Sequence, residues 1–220
     1  MARPDRTRAQ PRLLLYGFSS FGAVRQNPSA LAVRSLRKSF RGHARIQTAV
    51  FRVSYEAVKN RLAPLLEKGR FDLVIGLGVC AGSEEFRIET RASNQASSVL
   101  ADADGKKKAG VISRRGPSFV RSSPGTNEIV RILNAKRFPA VLSRNAGDYL
   151  CNYAFYLTGL YARRSKSGVT FGFLHIPLHS EYADKKGLSY PGLPLKRILA
   201  AARLYVQVSI EQRKQQDFAQ

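Results

Sequence analysis

The chain has 220 residues, 44% of them hydrophobic and 10% aromatic, which is the size and composition of one folded domain rather than a disordered chain. Its 37 lysines and arginines against 15 acidic residues give a formal charge of +22, which favours an anionic partner such as a nucleic acid. Two cysteines exclude a disulfide-stapled scaffold, and no apolar run approaches the roughly 18 residues of a membrane span, so we expect no membrane partner.

Composition divides the chain into three segments. Residues 1–12 form a basic arm that we expect to be disordered, residues 13–210 form one domain, and residues 211–220 form a polar tail that we expect to be frayed. The arm lacks the apolar segment of a secretory signal, so we expect a cytoplasmic protein. The polar residues 97–123 predict a long surface excursion of the kind found beside active sites.

Short apolar runs alternate with amphipathic segments along the domain. The predicted strands cover residues 13–16, 46–53, 71–78, 140–143 and 170–176. The predicted helices begin near Pro28, Tyr55, Ile129, Asp148 and Leu195. This alternation predicts a single three-layer α/β/α domain with a mostly parallel twisted sheet. Ligands of such sheets bind beyond the carboxyl ends of the strands, so one rim should carry the loops that follow Tyr16, Leu77, Ser143 and Leu174.

One of these loops leads into a cysteine. Cys151 lies in the first turn of the helix predicted to begin near Asp148. The partial positive charge and free amides of a helix N-terminus favour a nucleophilic thiolate. The alternative is that Cys151 is a small buried apolar residue. Cys80, expected on the same rim, is interpreted as a packing residue.

A second loop offers a base for such a thiol. His175 ends the strand over residues 170–176, and a histidine there could accept the proton of a cysteine in a neighbouring loop. His179 competes for this role, because it lies only two residues past Pro177. His43 lies among arginines and is expected to be exposed.

A carboxylate is needed to orient the imidazole. The candidates Glu84, Glu85 and Glu89 follow the strand that ends at Gly78. Alternation places Glu89 and Arg87 on the same face of an extended segment. The alternative for Glu89 is a surface carboxylate facing arginines.

Four segments of the chain carry recognisable motifs. They are GFSSFG with NPS (residues 17–22 and 27–29), GLGVCAG with Glu89 and Asn94 (residues 76–94), NAGDYLCNY (residues 145–153) and GFLHIP (residues 172–177). Together they resemble the motifs of pyroglutamyl peptidase type I, a family of cytosolic cysteine exopeptidases. The resemblance spans about residues 13–208, and the cysteine and histidine motifs are its most specific parts.

This resemblance implies a catalytic triad. By the family pattern Cys151 is the nucleophile, His175 the base and acid, and Glu89 the carboxylate that orients the imidazole. The implied reaction passes through a thioester and needs no cofactor. We also expect no metal, because the two cysteines and three histidines show no CxxC or HxxxH spacing.

The same resemblance implies the substrate. Phe18 and Phe21 would sandwich the ring of an N-terminal pyroglutamyl residue, with Asn27 and Leu150 lining the pocket. A flat, uncharged lactam suits an aromatic slot with a few polar groups. Peptides with an N-terminal pyroglutamate are therefore the expected partners, and the question of homo-oligomers stays open.

Two departures from the family pattern support a second hypothesis. Val79 stands where the family has a glutamine, and Val99 stands where it has an arginine associated with the oxyanion. Losing one oxyanion donor costs about 10²–10³ in rate. A weakened or substrate-shifted relative that acts as a binding protein is the alternative function.

A third hypothesis follows from the charge alone. Nucleic-acid binding through a basic surface would explain +22. The basic residues are spread along the whole chain, and no helix-turn-helix, zinc-finger or aromatic RNA-binding motif stands out. We therefore expect no dedicated nucleic-acid partner.

Overall fold

A six-stranded sheet lies at the centre of the computed structural model, which describes residues 10–22, 24, 26–97, 99–165, 168–181 and 191–219. In chain order the strands of the described residues are β1 (Arg12–Phe18), β2 (Arg45–Phe51), β3 (Leu73–Val79), β4 (Phe86–Glu89), β5 (Arg91–Ser93), β6 (Gln95–Ser97), β7 (Ala109–Val111), β8 (Phe119–Arg121), β9 (Ala140–Ser143), β10 (Thr170–Ile176), β11 (Leu178–His179) and β12 (Gly192–Leu193). The helices with both ends in the described residues are α1 (Pro28–Leu36), α2 (Tyr55–Gly69), α3 (Thr126–Ala135), α4 (Leu150–Arg164) and α5 (Leu195–Ala219).

The central sheet is parallel except at one side. Its strand order is β2-β1-β3-β10-β4-β9, and the first four strands run parallel to one another. β4 is antiparallel to β10, and β9 is parallel to β4, so these two strands run the opposite way. The predicted α/β class with a mostly parallel sheet is confirmed.

The direction of β4 and β9 corrects the prediction of which strand ends share one rim of the sheet. The loop after Ser143 was expected beside the carboxyl ends of the other strands, but β9 ends at the level of Phe173, within the sheet. Residues 144–149 then lead back, so that α4 begins beside the carboxyl end of β3. The loop reaches the predicted place although the direction of its strand was predicted wrongly.

Helices cover both faces of the sheet. Alternation along β1 sends Leu13 and Leu15 into a core formed with α1, α3 and α5, while Leu14 and Tyr16 enter a second core formed with α2 and α4. Strands covered on both faces read as continuous apolar runs, which is why β1 and β3 stand out in the sequence. The predicted three layers are thus the observed ones.

The predicted terminal segments have different outcomes. Residues 1–9 of the basic arm lie outside the described residues, and Arg12 already begins β1. At the other end α5 continues to Ala219, where a frayed tail was expected from residue 211 onwards. Arg213 explains the difference, because this buried side chain donates hydrogen bonds to the carbonyls of Asp72 and Gly168.

The polar excursion over residues 97–123 contains little regular structure. Its short strand β7 pairs with β6, and β8 pairs with β5, both antiparallel. None of the helices in the described ranges is long and apolar enough to cross a membrane. The same residues contain no group of three His, Cys, Asp or Glu side chains that could hold a metal ion.

Two leucines test the packing of this fold. Leu133 on α3 is 0% exposed, whereas Leu142 on β9 is 43% exposed. Leu133→Ala should lower the free energy of unfolding by about 2–5 kcal/mol, because it removes buried methyl groups and leaves a cavity. Leu142→Ala, as the matched control in urea denaturation, should cost about 1 kcal/mol or less. Equal losses in the two variants would contradict the assignment of α3 to the core.

Candidate active site

The cysteine of the predicted site packs on a glycine. Cys151 is the second residue of α4, and its Sγ lies over Gly78 near the end of β3. A Cβ added to Gly78 would lie 2.7 Å from that sulfur and 2.9 Å from the ring of Phe173. Any larger residue at this position would clash with the Cys151 thiol and with the buried ring of Phe173, so glycine is needed here.

The helix start differs in detail from its prediction. Tyr149 is the residue before α4 and makes no side-chain capping bond, so Asp148 is not the cap. The Asp148 carboxylate instead accepts a hydrogen bond of 2.8 Å from Ser97 Oγ. Cys151 still lies in the first turn, where backbone amides have no acceptor within the helix.

A histidine and a glutamate complete a connected row of side chains. His175 on β10 is in register with Gly78 on β3, which places its ring beside the thiol. Its Nδ1 lies 2.8 Å from Glu89 Oε1 on β4, and the imidazole also hydrogen-bonds Cys151. Glu89 is 0% exposed and His175 is 6% exposed. Because Glu89 engages Nδ1, Nε2 is the nitrogen left for the thiol.

The charges of this row stabilise the imidazolium. Burial is the largest single effect and lowers the pKa of His175, but the charges and hydrogen bonds of Cys151 and Glu89 together outweigh it and raise the pKa from 6.5 to about 10. A cation between two acidic groups is favoured when all three are removed from water. The arrangement therefore favours the protonated form of the His175 imidazole.

The structure separates the candidates that the sequence left open. Glu84 and Glu85 are exposed, and neither approaches His175 in the way Glu89 does. His179 is buried on β11 with its Nδ1 3.5 Å from the Glu181 carboxylate, and it does not line the cavity beside Cys151. His43 is exposed, as expected.

A cavity of about 340 Å³ opens in front of the thiol. All of the residues predicted for the site line it except Glu89, which lies buried behind the imidazole; the lining ones are Phe18, Phe21, Asn27, Leu150, Cys151 and His175. Ala146, Tyr149 and Val53 add further apolar surface. The cavity is thus an apolar slot with the reactive groups at its wall.

Asn27 shapes this slot from within the protein. Its Nδ2 donates to the Ser19 carbonyl at 2.9 Å, and its Oδ1 accepts from the Ser29 amide at 2.9 Å as the cap of α1. Ser29 Oγ in turn accepts a hydrogen bond from the Phe18 amide at 3.0 Å. These bonds fix Phe18 at the end of β1 and the following loop that carries Phe21.

The two departures from the expected motif lie in different places. Val79 lines the cavity, whereas Val99 is 80% exposed and is not among its lining residues. Cys80 also lines the cavity and is only partly buried, and its interpretation as a packing residue stays a prediction. Sequence reasoning missed Arg87 as a cavity residue, although strand alternation places it on the same face as Glu89.

A cysteine hydrogen-bonded to an imidazole, which is bonded to a buried carboxylate, defines a cysteine-dependent hydrolase on an α/β fold. The family model described as pyroglutamyl peptidase matches residues 11–212 of the sequence. The chain therefore belongs to the pyroglutamyl peptidase family.

Individual relatives agree over nearly the whole length. A pyrrolidone-carboxylate peptidase of Saccharolobus islandicus is 30% identical over 92% of this chain and 97% of its own. One from Coprothermobacter proteolyticus is 31% identical over 91% of this chain and 97% of its own. The solved pyroglutamyl peptidase I of Bacillus amyloliquefaciens superposes with a TM-score of 0.83 at 28% identity, covering 92% of this chain and 96% of that one. The pyrrolidone carboxyl peptidase of Thermococcus litoralis gives 0.88 at 25% identity, covering 94% and 96%.

The raised pKa of His175 leads to a prediction on stability. A group whose pKa is higher in the folded than in the unfolded chain stabilises the fold at low pH, and this contribution disappears as pH rises from 6.5 to about 10. Glu89→Gln should lower the pKa of His175, measured by NMR of the imidazole, and move this loss of stability to lower pH. Glu85→Gln, which removes an exposed carboxylate, is the control and should leave the titration of His175 unchanged. Equal titration of His175 in wild type and Glu89→Gln would contradict the proposed interaction.

Proposed function

We propose that this chain hydrolyses the amide bond that follows an N-terminal pyroglutamyl residue of a peptide, with Cys151 as nucleophile. The observation that carries the proposal is the connected row of Cys151, His175 and Glu89 at the wall of an apolar cavity. Membership of the pyroglutamyl peptidase family supports the same substrate.

In the proposed reaction His175 carries out each proton transfer and Cys151 forms the covalent bond. His175 holds the proton of Cys151, and the thiolate Sγ forms a bond to the carbonyl carbon of the pyroglutamyl group. When the tetrahedral intermediate collapses, the C–N bond breaks and His175 gives its proton to the leaving amine. A thioester remains on Cys151. Water then attacks this thioester as His175 takes its proton, and the C–S bond breaks to release pyroglutamate.

Glu89 acts on the reaction through His175. Its carboxylate accepts the Nδ1 hydrogen bond and so fixes the ring with Nε2 towards Cys151. It also stabilises the imidazolium that forms in each step. Backbone amides of the first turn of α4 are the donors available to the oxyanion.

The cavity suits the proposed substrate in shape and polarity. Phe18 ends β1 and Phe21 lies on the loop that follows, where they can contact the two faces of a flat lactam ring. The ring is uncharged, so it loses little hydration free energy when it enters an apolar slot. A glutamyl residue would bring a charged amine and a carboxylate, whose burial there is unfavourable.

The cell compartment follows from the thiol. Cys80 and Cys151 are both free, and a reaction through a thiolate requires that it stay reduced. Reduced thiols persist in the cytosol. We therefore assign the enzyme to the cytoplasm, with pyroglutamyl peptides as its partners.

Substitution of the reacting residues tests this function. Cys151→Ala and His175→Ala should each reduce hydrolysis of a fluorogenic pyroglutamyl amide by at least about 10³-fold, because each removes a group that takes part in bond making or proton transfer. His43→Ala is the matched control for an exposed histidine and should hydrolyse the amide at the wild-type rate. A wild-type protein inert towards pyroglutamyl amides, or a Cys151→Ala variant with normal turnover, would overturn the proposal.

A further inference from the structure

We infer that Arg87 recognises a carboxylate on the residue that follows the pyroglutamyl group, so that the enzyme prefers substrates with an anionic leaving residue. This inference rests on the proposed function and adds a preference for one class of substrate. It depends on the order of the strands, on the surroundings of Arg87 and on the direction in which the leaving group departs.

The order of strands places the groups in a row across the cavity. Phe18 is on β1, Cys151 lies over β3, His175 is on β10, and Arg87 is on β4, which follows β10 in the sheet. His175 and Arg87 are opposite each other in the antiparallel register, so their side chains leave the same face of the sheet. All four residues line the same cavity.

The chemistry of the reaction gives this row a direction. The pyroglutamyl ring is expected at Phe18, and its carbonyl carbon bonds to Cys151. His175 must give its proton to the leaving nitrogen, so the leaving residue lies on the His175 side of the thiol. The next side chain in that direction is Arg87.

Arg87 has donors to spare for a ligand. Its Nη2 donates to Ser143 Oγ at 3.2 Å, which fixes the guanidinium, while its Nε lies 3.9 Å from Glu89 Oε1, beyond hydrogen-bond distance. A guanidinium has five N–H donors, and this side chain is 35% exposed where it borders the cavity. A guanidinium that is fixed in position but still has free N–H donors can bind the carboxylate of a leaving residue through two parallel hydrogen bonds.

The charge of the remaining cavity supports this assignment. Among the described residues that line it, Arg87 is the one lysine or arginine. Asp148 also lines the cavity, and its carboxylate accepts a hydrogen bond from Ser97 Oγ. This carboxylate also interacts electrostatically with Tyr55 of α2, towards the opposite edge of the sheet from Arg87. The positive and negative groups are thus separated, with the positive one beside the leaving residue.

A carboxylate on the leaving residue has two sources. It is the α-carboxylate when the substrate is a pyroglutamyl dipeptide, and it is the side chain when the residue is Asp or Glu. Pyroglutamyl-alanine against its amide tests the first source. The amides of pyroglutamyl-glutamate and pyroglutamyl-glutamine test the second.

The test is the ratio of kcat/KM between the anionic and the neutral member of each pair. Wild type should give a ratio above one for at least one pair, and Arg87→Gln should lower that ratio by about tenfold, as expected for one charge-assisted hydrogen bond of a partly exposed group. Arg87→Lys should retain part of the preference, since it keeps the charge and loses the fork. Arg45→Gln, an exposed arginine at the opposite end of the parallel strands, is the control and should keep the wild-type ratio.

The outcomes separate this inference from the proposed function. If Arg87→Gln slows both members of a pair equally and leaves the ratio unchanged, Arg87 acts through Glu89 and the inference is overturned. A wild-type ratio of one for both pairs overturns it as well, with the proposed function intact. If wild type hydrolyses neither member of any pair, the proposed function itself fails. Should Arg87→Gln not fold, the wild-type ratio is measured against salt, and a ratio that does not fall with added salt overturns the inference.

Discussion

The hydrogen bond between Glu89 and His175 is the interaction on which the site depends. It crosses from β4 to β10, the one antiparallel junction of the central sheet within the described residues, and it joins two almost fully buried side chains. A buried carboxylate without a partner costs about 3–5 kcal/mol relative to the intact pair, so the two residues constrain each other. Reversal of β4 brings Glu89 under the imidazole, and Gly78 on the neighbouring strand β3 makes room for the thiol on its other side.

Much of the fold could be predicted because its strongest sequence signals are local. β1 and β3 are continuous apolar runs, and the helices show apolar residues on one face. The direction of β4 and β9 could not be predicted, since a four-residue strand looks alike in either direction and only its pairing partners decide. The helical end of α5 was missed for a related reason: its stability comes from Arg213, which bonds carbonyls far away in sequence.

The site was predictable to the extent that its residues lie in motifs. Spacing alone left two histidines and three glutamates open, and the resemblance to a family chose His175 and Glu89, which the structure brings into contact. No motif pointed to Arg87, because in a chain of charge +22 an arginine is expected to lie on the surface. The large positive charge first suggested a nucleic acid. Among the described residues, Arg87 is the one lysine or arginine that lines the cavity, and it lies beside the reacting groups.

The central claim is that Cys151 forms a thioester with a pyroglutamyl group while His175, oriented by Glu89, holds and transfers the proton. Acid quenching during turnover of a pyroglutamyl ester, followed by peptide mass spectrometry, tests it most directly. The account predicts that the peptide containing Cys151 gains the mass of one pyroglutamyl group, and that this adduct disappears when the substrate is exhausted. Turnover with an unmodified Cys151, or with the adduct on Cys80, would contradict it.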